Sequence, residues 1–306
     1  MEENQISNLK EMTMEEKWKL LTIIYLSDIR QLRLISINSI NLNFLYPTSS
    51  LDITIDKEIS PLILACYIGK LEIISYLLTN DNININLQSK PEKYSPLIIS
   101  CYKGYYEIVR ILLEMKADIN LPNKNGQLPF IFCFSRLDQM SFRYENKKIC
   151  MMLIDLLLSY GADINSIFDK IKGYTVIMKL LSCEIINEER FDIIFEIMKF
   201  LLQRGANVEI KGKDKLNIFD ILKDNKKILP KYKEEFYFIL ENTKQLIFFN
   251  DKNFECNDLS SNSNLSSLYQ GKHVRNLSSL YTGIKSNHEI LLQTDDSNGT
   301  NCCNIF

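Results

Sequence analysis

Two histidines, ten glycines, seven prolines and one tryptophan are all that 306 residues hold of those types, and each shortage excludes something. Both histidines, His273 and His288, lie in the last quarter of the chain, so no His-dependent triad or His metal cluster can assemble in the part that precedes them. The glycines are dispersed. Neither G-x-G-x-x-G nor G-x-x-x-x-G-K-[ST] occurs, and the phosphate-cradling loops with those signatures are therefore missing. Eight cysteines are present without a C-x-x-C pair and at irregular spacings, which fits neither a zinc module nor a disulfide framework and points to a reducing compartment. No uninterrupted apolar run reaches the roughly 18 residues of a membrane span, and the N-terminal stretch has no basic segment leading into an apolar one. The expectation is a chain without a secretion signal or a spanning helix. Excess charge is lacking too: 36 Lys and Arg against 38 Asp and Glu give a net charge of −2, and such a balance leaves no electrostatic footprint for nucleic acid.

What the sequence does contain is a repeat. SPLILACYIGKLEIISYLL, Ser60 to Leu78, is followed by SPLIISCYKGYYEIVRILL, Ser95 to Leu113. Ser60, Pro61, Leu62, Gly69, Glu72, Ile73 and Leu77-Leu78 recur 35 residues later. The serine of each copy can cap a helix through its side-chain oxygen, and the proline then takes the first helical position, where a missing N–H costs nothing. Two apolar turns run to Gly69 or Gly104, and a second helix from Leu71 or Tyr106 carries Ile, Val and Leu at helical spacing. Each unit is a helix-turn-helix. Helices of eight to ten residues cannot bury their apolar faces on one another alone, so the units must stack into a solenoid.

The pattern S-P-L-x-x-[AS]-C, then G-x-x-E-I-[IV]-x-x-L-L, then ADIN at Ala117 to Asn120, resembles the ankyrin repeat. The resemblance implies an all-α solenoid over residues 1–242 with about six units, at about 12–57, 58–91, 92–124, 125–171, 172–211 and 212–242. The first and last are degenerate, as terminal units with one face in water must be. In the first, Thr13 and Glu16 form a capping box ahead of WKLLTIIYL, a second short helix spans Asp28 to Ile37, and Trp18 is expected to pack against the next unit. The fourth unit carries an insertion of about 12 residues, Arg136 to Lys148, expected to be a surface excursion between its helices. A shorter one falls near Glu184 to Arg190. The family's histidine is replaced by Ile63, Ile98, Ile131 and Met178, so packing must hold those turns. Gly161 and Gly205 end the second helices of their units, whereas Lys116 holds that slot in the third and is expected to be left-handed.

From Thr243 to Phe306 the composition shifts to Ser, Asn, Asp and Gly, and this stretch is expected to be disordered. NLSSLY occurs at Asn264 to Tyr269 and again at Asn276 to Tyr281, a pattern that replication slippage accounts for better than a duplicated docking or phosphorylation motif. Cys303 to Phe306 resembles a prenylation box, with Cys303 the lipidated residue and Cys302 the palmitoylation site beside it.

The resemblance implies a non-enzymatic protein-protein interaction scaffold or adaptor whose hairpin tips and first-helix faces hold another protein. Tyr67, Tyr94, Tyr102 and Lys103 are the candidate contacts, because the pattern leaves them outside the core and tyrosine is enriched at interface hot spots. Two alternatives stay open: a ubiquitin-ligase substrate receptor, for which no ligase-docking box is recognisable, and an enzyme using the repeats as a targeting arm, for which residues 1–242 leave no separate catalytic domain. No catalytic residue, metal, cofactor, small-molecule substrate or nucleic-acid partner is expected. Cys66 and Cys101 stand where the family has small buried residues and are expected to be structural, and the pairs Glu188-Glu189 and Glu234-Glu235 belong to solvated helix faces. The expected location is cytoplasmic, with membrane association on the cytoplasmic face through the lipid.

Overall fold

The computed structural model describes residues 9–50, 55–134, 144–182 and 188–250. Contacts divide the chain into two compact units, residues 1–248 and 249–306. All that follows concerns the first, apart from the end of its last helix.

The helix signals in the sequence act as local chemistry requires. Helix α1, Met14–Tyr25, opens with the Thr13–Glu16 capping box, in which Thr13 Oγ1 accepts from the Glu16 N–H and the Glu16 carboxylate accepts from the Thr13 N–H. Helix α2, Ile29–Arg33, is capped by Asp28, which accepts from the Gln31 N–H. It is shorter than the span to Ile37 expected above, and a 3-10 turn at Ile37–Ser39 completes the unit. A two-residue ladder, β1 (Tyr46–Pro47) against β2 (Glu58–Ile59), closes the first antiparallel finger. Trp18 stacks on Tyr46 of that finger, with ring centroids 6.2 Å apart. The helix that carries Trp18 packs on the first helix of the next unit, while the ring itself stacks within its own unit.

The next two units are near copies. Helix α3, Pro61–Ile68, and helix α5, Pro96–Lys103, are capped by Ser60 and Ser95, whose hydroxyls accept from the N–H groups of Ile63 and Ile98 at 3.2 Å. Both end at a left-handed glycine, and the second helices α4, Leu71–Leu77, and α6, Tyr106–Glu114, follow. The fourth unit has α7, Pro129–Phe132, and α8, Tyr144–Ser159. The proposed excursion therefore stops short of Lys148: residues 144–148 form the first turn of α8, while 135–143 lie outside the described residues. A second small ladder, β3 (Ile167–Asp169) with β4 (Tyr174–Thr175), leads into α9, Val176–Leu181, and α10, Glu188–Gln203. Glu188 to Arg190 are likewise helical, and 183–187 lie outside the described residues. Helices α11, Ile218–Asp224, and α12, Pro230–Asn250, finish the array. Because α12 continues to Asn250, it runs past Thr243, where the tail was expected to begin. The NLSSLY copies, both histidines and Cys302 and Cys303 lie outside the described residues.

Stacking produces two rows. First helices pack in sequence, α1 on α3, α3 on α5, α5 on α7, and α9 on α11; second helices pack as α2, α4, α6, α8 and α10. Between the rows runs one continuous apolar core. Ile63, Ile98, Ile131 and Met178, the residues in place of the family histidine, are all buried, and Ile63, Ile131 and Met178 belong to that core. Polar rungs bind successive units at the second-helix exits. Asn43 Oδ1 accepts from the Asn84 N–H (2.6 Å), Asn86 Oδ1 from the Asp118 N–H (2.8 Å), and Asn165 Oδ1 from the Asn207 N–H (2.8 Å). Just before these rungs, Gly161, Gly205 and Lys116 are left-handed, with φ of 88°, 93° and 63°. Lys116 thus has the conformation expected of it without the residue that tolerates it best. At the C-terminal end, Phe191 of α10 stacks on Tyr232 of α12 at 4.3 Å and meets Phe236 edge-on at 5.4 Å. That aromatic contact is what the last helix uses to close the core.

Candidate protein-interaction surface

The first-helix row carries the candidate residues. Tyr67 sits near the end of α3, and Tyr102 and Lys103 occupy the equivalent end of α5 one unit further on. Tyr94 immediately precedes the Ser95 cap. Stacking brings the Lys103 Nζ to 3.8 Å from the centre of the Tyr67 ring, a cation–π contact that joins the two units. Tyr94 meets Phe132 of α7 edge-on at 5.9 Å. The four residues are half-buried, and Tyr67 and Tyr94 pack against the core. They do not stand clear of it, as the repeat pattern had implied, because each neighbour unit covers part of the ring. A half-covered ring held in one orientation loses little freedom on meeting a partner, which suits a contact residue.

Behind them, Tyr105 runs close beneath the α3–α4 turn. A Cβ on Gly69 would lie 2.4 Å from the Tyr105 ring, and Gly69 has φ of 80°. Only glycine satisfies both conditions, and this explains why the turn and the next unit's tyrosine go together.

A buried carboxylate fixes the entry of Tyr94. Asp56 is 9% exposed. Its Oδ1 accepts from the Lys57 N–H (2.8 Å), and its Oδ2 accepts from the Glu92 N–H (3.0 Å) and the Ser89 hydroxyl (2.5 Å). Ser89 Oγ in turn accepts from the Tyr94 N–H at 2.9 Å. One side chain of the first finger thereby organises the second finger and the start of the third unit, and the bridge between Glu58 and Lys90 runs alongside. Burial, then the negative charges of Glu92 and Asp56, push the Tyr94 phenol above its ordinary pKa. It remains a neutral donor through the physiological range.

The thiols behave as the sequence implied. Cys66, Cys101, Cys133 and Cys150 are free and buried, and burial pushes the Cys66 thiol up to about 12. Such thiols are inert. Among the described residues no group of acidic, His and Cys side chains could hold a metal ion, and no helix is long and apolar enough to cross a membrane. An open groove of about 640 Å³ lies between the third and fourth units at Leu113, Lys116, Asp118, Ile119 and Tyr160.

Comparison with known families decides what the repeat is, since residues 34–123 match the family model for ankyrin repeats in three copies. Residues 34–123 are ankyrin repeats. The match runs from the end of the first unit, past its two helices, through the third, including Asp56, Ser89 and all four candidate contacts, and the same two-row stacking carries the array on to α11. Ankyrin repeats form a protein-protein interaction fold, so a protein partner follows for this chain in general terms. No curated protein matches the chain. Asp56 and Ser89 escaped the sequence analysis because their pairing spans 33 positions between two loops and leaves no periodic trace. The ADIN stretch was visible, but its role as a rung between units was not.

Proposed function

We propose that the chain is a non-enzymatic scaffold or adaptor that holds another protein on the first-helix side of its ankyrin repeats, with Tyr67, Tyr94, Tyr102 and Lys103 as contacts. The observation that carries this reading is the preorganised row of rings: Lys103 over Tyr67, and Tyr94 against Phe132. Aromatic side chains whose orientation is fixed before binding give large contact area at low entropic cost. A net charge of −2 argues for a protein and against nucleic acid as the main partner. The same reading has the protein in the cytoplasm, with membrane association through prenylation of Cys303 and palmitoylation of Cys302; loss of membrane association in the Cys303→Ser variant is the result expected of it.

The test of the scaffold reading is affinity purification of the chain tagged at its N-terminus, beside the Tyr67→Ala/Tyr102→Ala variant. A stoichiometric partner recovered by the wild type and lost by a variant of unchanged circular dichroism supports the reading. A partner held equally by both removes these residues from the interface.

A further inference from the structure

The tips of the fingers that precede α9 and α11 are rich in exposed lysine. The first tip reads Asp169-Lys170-Ile171-Lys172-Gly173 and the second Glu209-Ile210-Lys211-Gly212-Lys213-Asp214-Lys215. Five lysines stand here against three carboxylates on a chain whose overall charge is −2. All five lysines are exposed, and among the described residues no salt bridge joins them to an acidic side chain. Two of the carboxylates serve the turns instead. Asp169 Oδ1 accepts from the N–H groups of Ile171 (2.9 Å) and Lys172 (3.0 Å), and Asp214 accepts from the Tyr174 hydroxyl (2.7 Å) and the Leu216 N–H (3.1 Å).

The two tips form one platform. The Lys213 N–H donates to the Lys172 carbonyl at 2.7 Å, and Lys213 Nζ donates to the Lys170 carbonyl at 2.8 Å. Gly173 permits the approach: it has φ of 71°, and a Cβ there would lie 3.1 Å from the Lys213 nitrogen. Between Lys170 and Lys172 projects Ile171, 88% exposed. An isoleucine so exposed, between two lysines in sequence on a turn that Asp169 holds, has no packing role among the described residues.

We propose that this platform docks the repeat domain on an anionic lipid surface, with Ile171 entering the headgroup region and the lysines lying at phosphate level. Two features favour a membrane over an acidic protein segment. The platform's cations are all lysine, point charges on flexible stems without the bidentate fork that selects individual carboxylates. A fluid interface, moreover, accommodates a protruding apolar side chain between cations, the arrangement that interfacial anchors use. The platform is independent of any lipid on Cys303.

The experiment is vesicle co-sedimentation of the full chain, produced in a host that attaches no prenyl group, with phosphatidylcholine vesicles and with phosphatidylcholine–phosphatidylserine vesicles. Each lysine near an anionic leaflet strengthens binding roughly five-fold, so Lys170→Glu/Lys172→Glu should weaken binding at least about ten-fold. Lys211→Glu/Lys215→Glu should act in the same direction, and Lys170→Arg/Lys172→Arg should retain binding. Ile171→Ser should lose roughly five-fold. Circular dichroism and thermal midpoints establish that the variants are folded. Binding only to serine-containing vesicles, falling with added salt and lost on charge reversal, supports the proposal. Failure to bind either vesicle, equal binding to neutral vesicles, or binding that survives charge reversal at both tips overturns it. Saturable binding of a polyglutamate peptide without vesicle binding would overturn it in favour of an acidic protein segment.

Discussion

Replacing Ser89 by alanine isolates the interaction that joins three units at once. Ser89 is 1% exposed, and its hydroxyl donates to Asp56 while accepting from the Tyr94 N–H. The substitution removes a hydrogen bond to a charged group, of the order of 1.5–3 kcal/mol, and leaves the Tyr94 N–H without that acceptor. Asp56 keeps its bonds from the N–H groups of Lys57 and Glu92, so the carboxylate is not stranded and the larger penalty of an unpaired buried charge does not apply. A loss of about 2–3 kcal/mol follows. For a folded unit of this size each kcal/mol moves the midpoint by roughly 2–4 °C, so thermal unfolding followed at 222 nm should shift down by roughly 4–12 °C. Solenoids unfold through neighbour-to-neighbour coupling, and hydrogen exchange should therefore show the loss first in the second finger and in α5. A midpoint within about 1 °C of the wild type would refute the claim that Asp56 and Ser89 hold these units together.

Two further outcomes follow from single residues. Lys116→Gly places the tolerant residue at a left-handed position and should stabilise by up to about 1 kcal/mol; a lowered midpoint by calorimetry counts against this account of the turn. Burial, then the hydrogen bond to Asp214, pushes the Tyr174 phenol up to about 12. A raised pKa in the folded state means stability that is complete below the unfolded value of about 10 and is lost as pH rises through the folded one. Tyrosinate absorbance at 295 nm should accordingly lose its latest-titrating component in Tyr174→Phe, and show it earlier in Asp214→Asn; an unchanged titration in both variants contradicts the assignment.

The parts of this molecule that were legible in the sequence are those whose chemistry is local. Ser60 and Ser95 cap helices through N–H groups three residues away, and Lys116 betrayed its backbone by occupying a slot that two sister units fill with glycine. The rest depended on distance or on context. The repeat period placed Tyr67 off the core, but only stacking shows that the next unit's Lys103 covers it. Asp56 and Ser89 sit in loops whose residues follow no period. The composition change at Thr243 suggested a boundary, yet the Thr243 hydroxyl donates to the Ile239 carbonyl, a back-bond that lets threonine ride inside a helix. The first turn of α8 was read as loop because Tyr144 to Lys148 is polar, and a polar turn at a helix start carries no apolar signal.

The central claim is that the first-helix side of the ankyrin repeats, around Tyr67, Tyr94, Tyr102 and Lys103, is where a protein partner sits. Hydrogen–deuterium exchange of the full chain, alone and with the purified partner, addresses that most directly. The account predicts added protection in the peptides covering the ends of α3 and α5 and the finger before Tyr94, with α4, α6 and α8 unchanged. Protection confined to the second-helix row would contradict it.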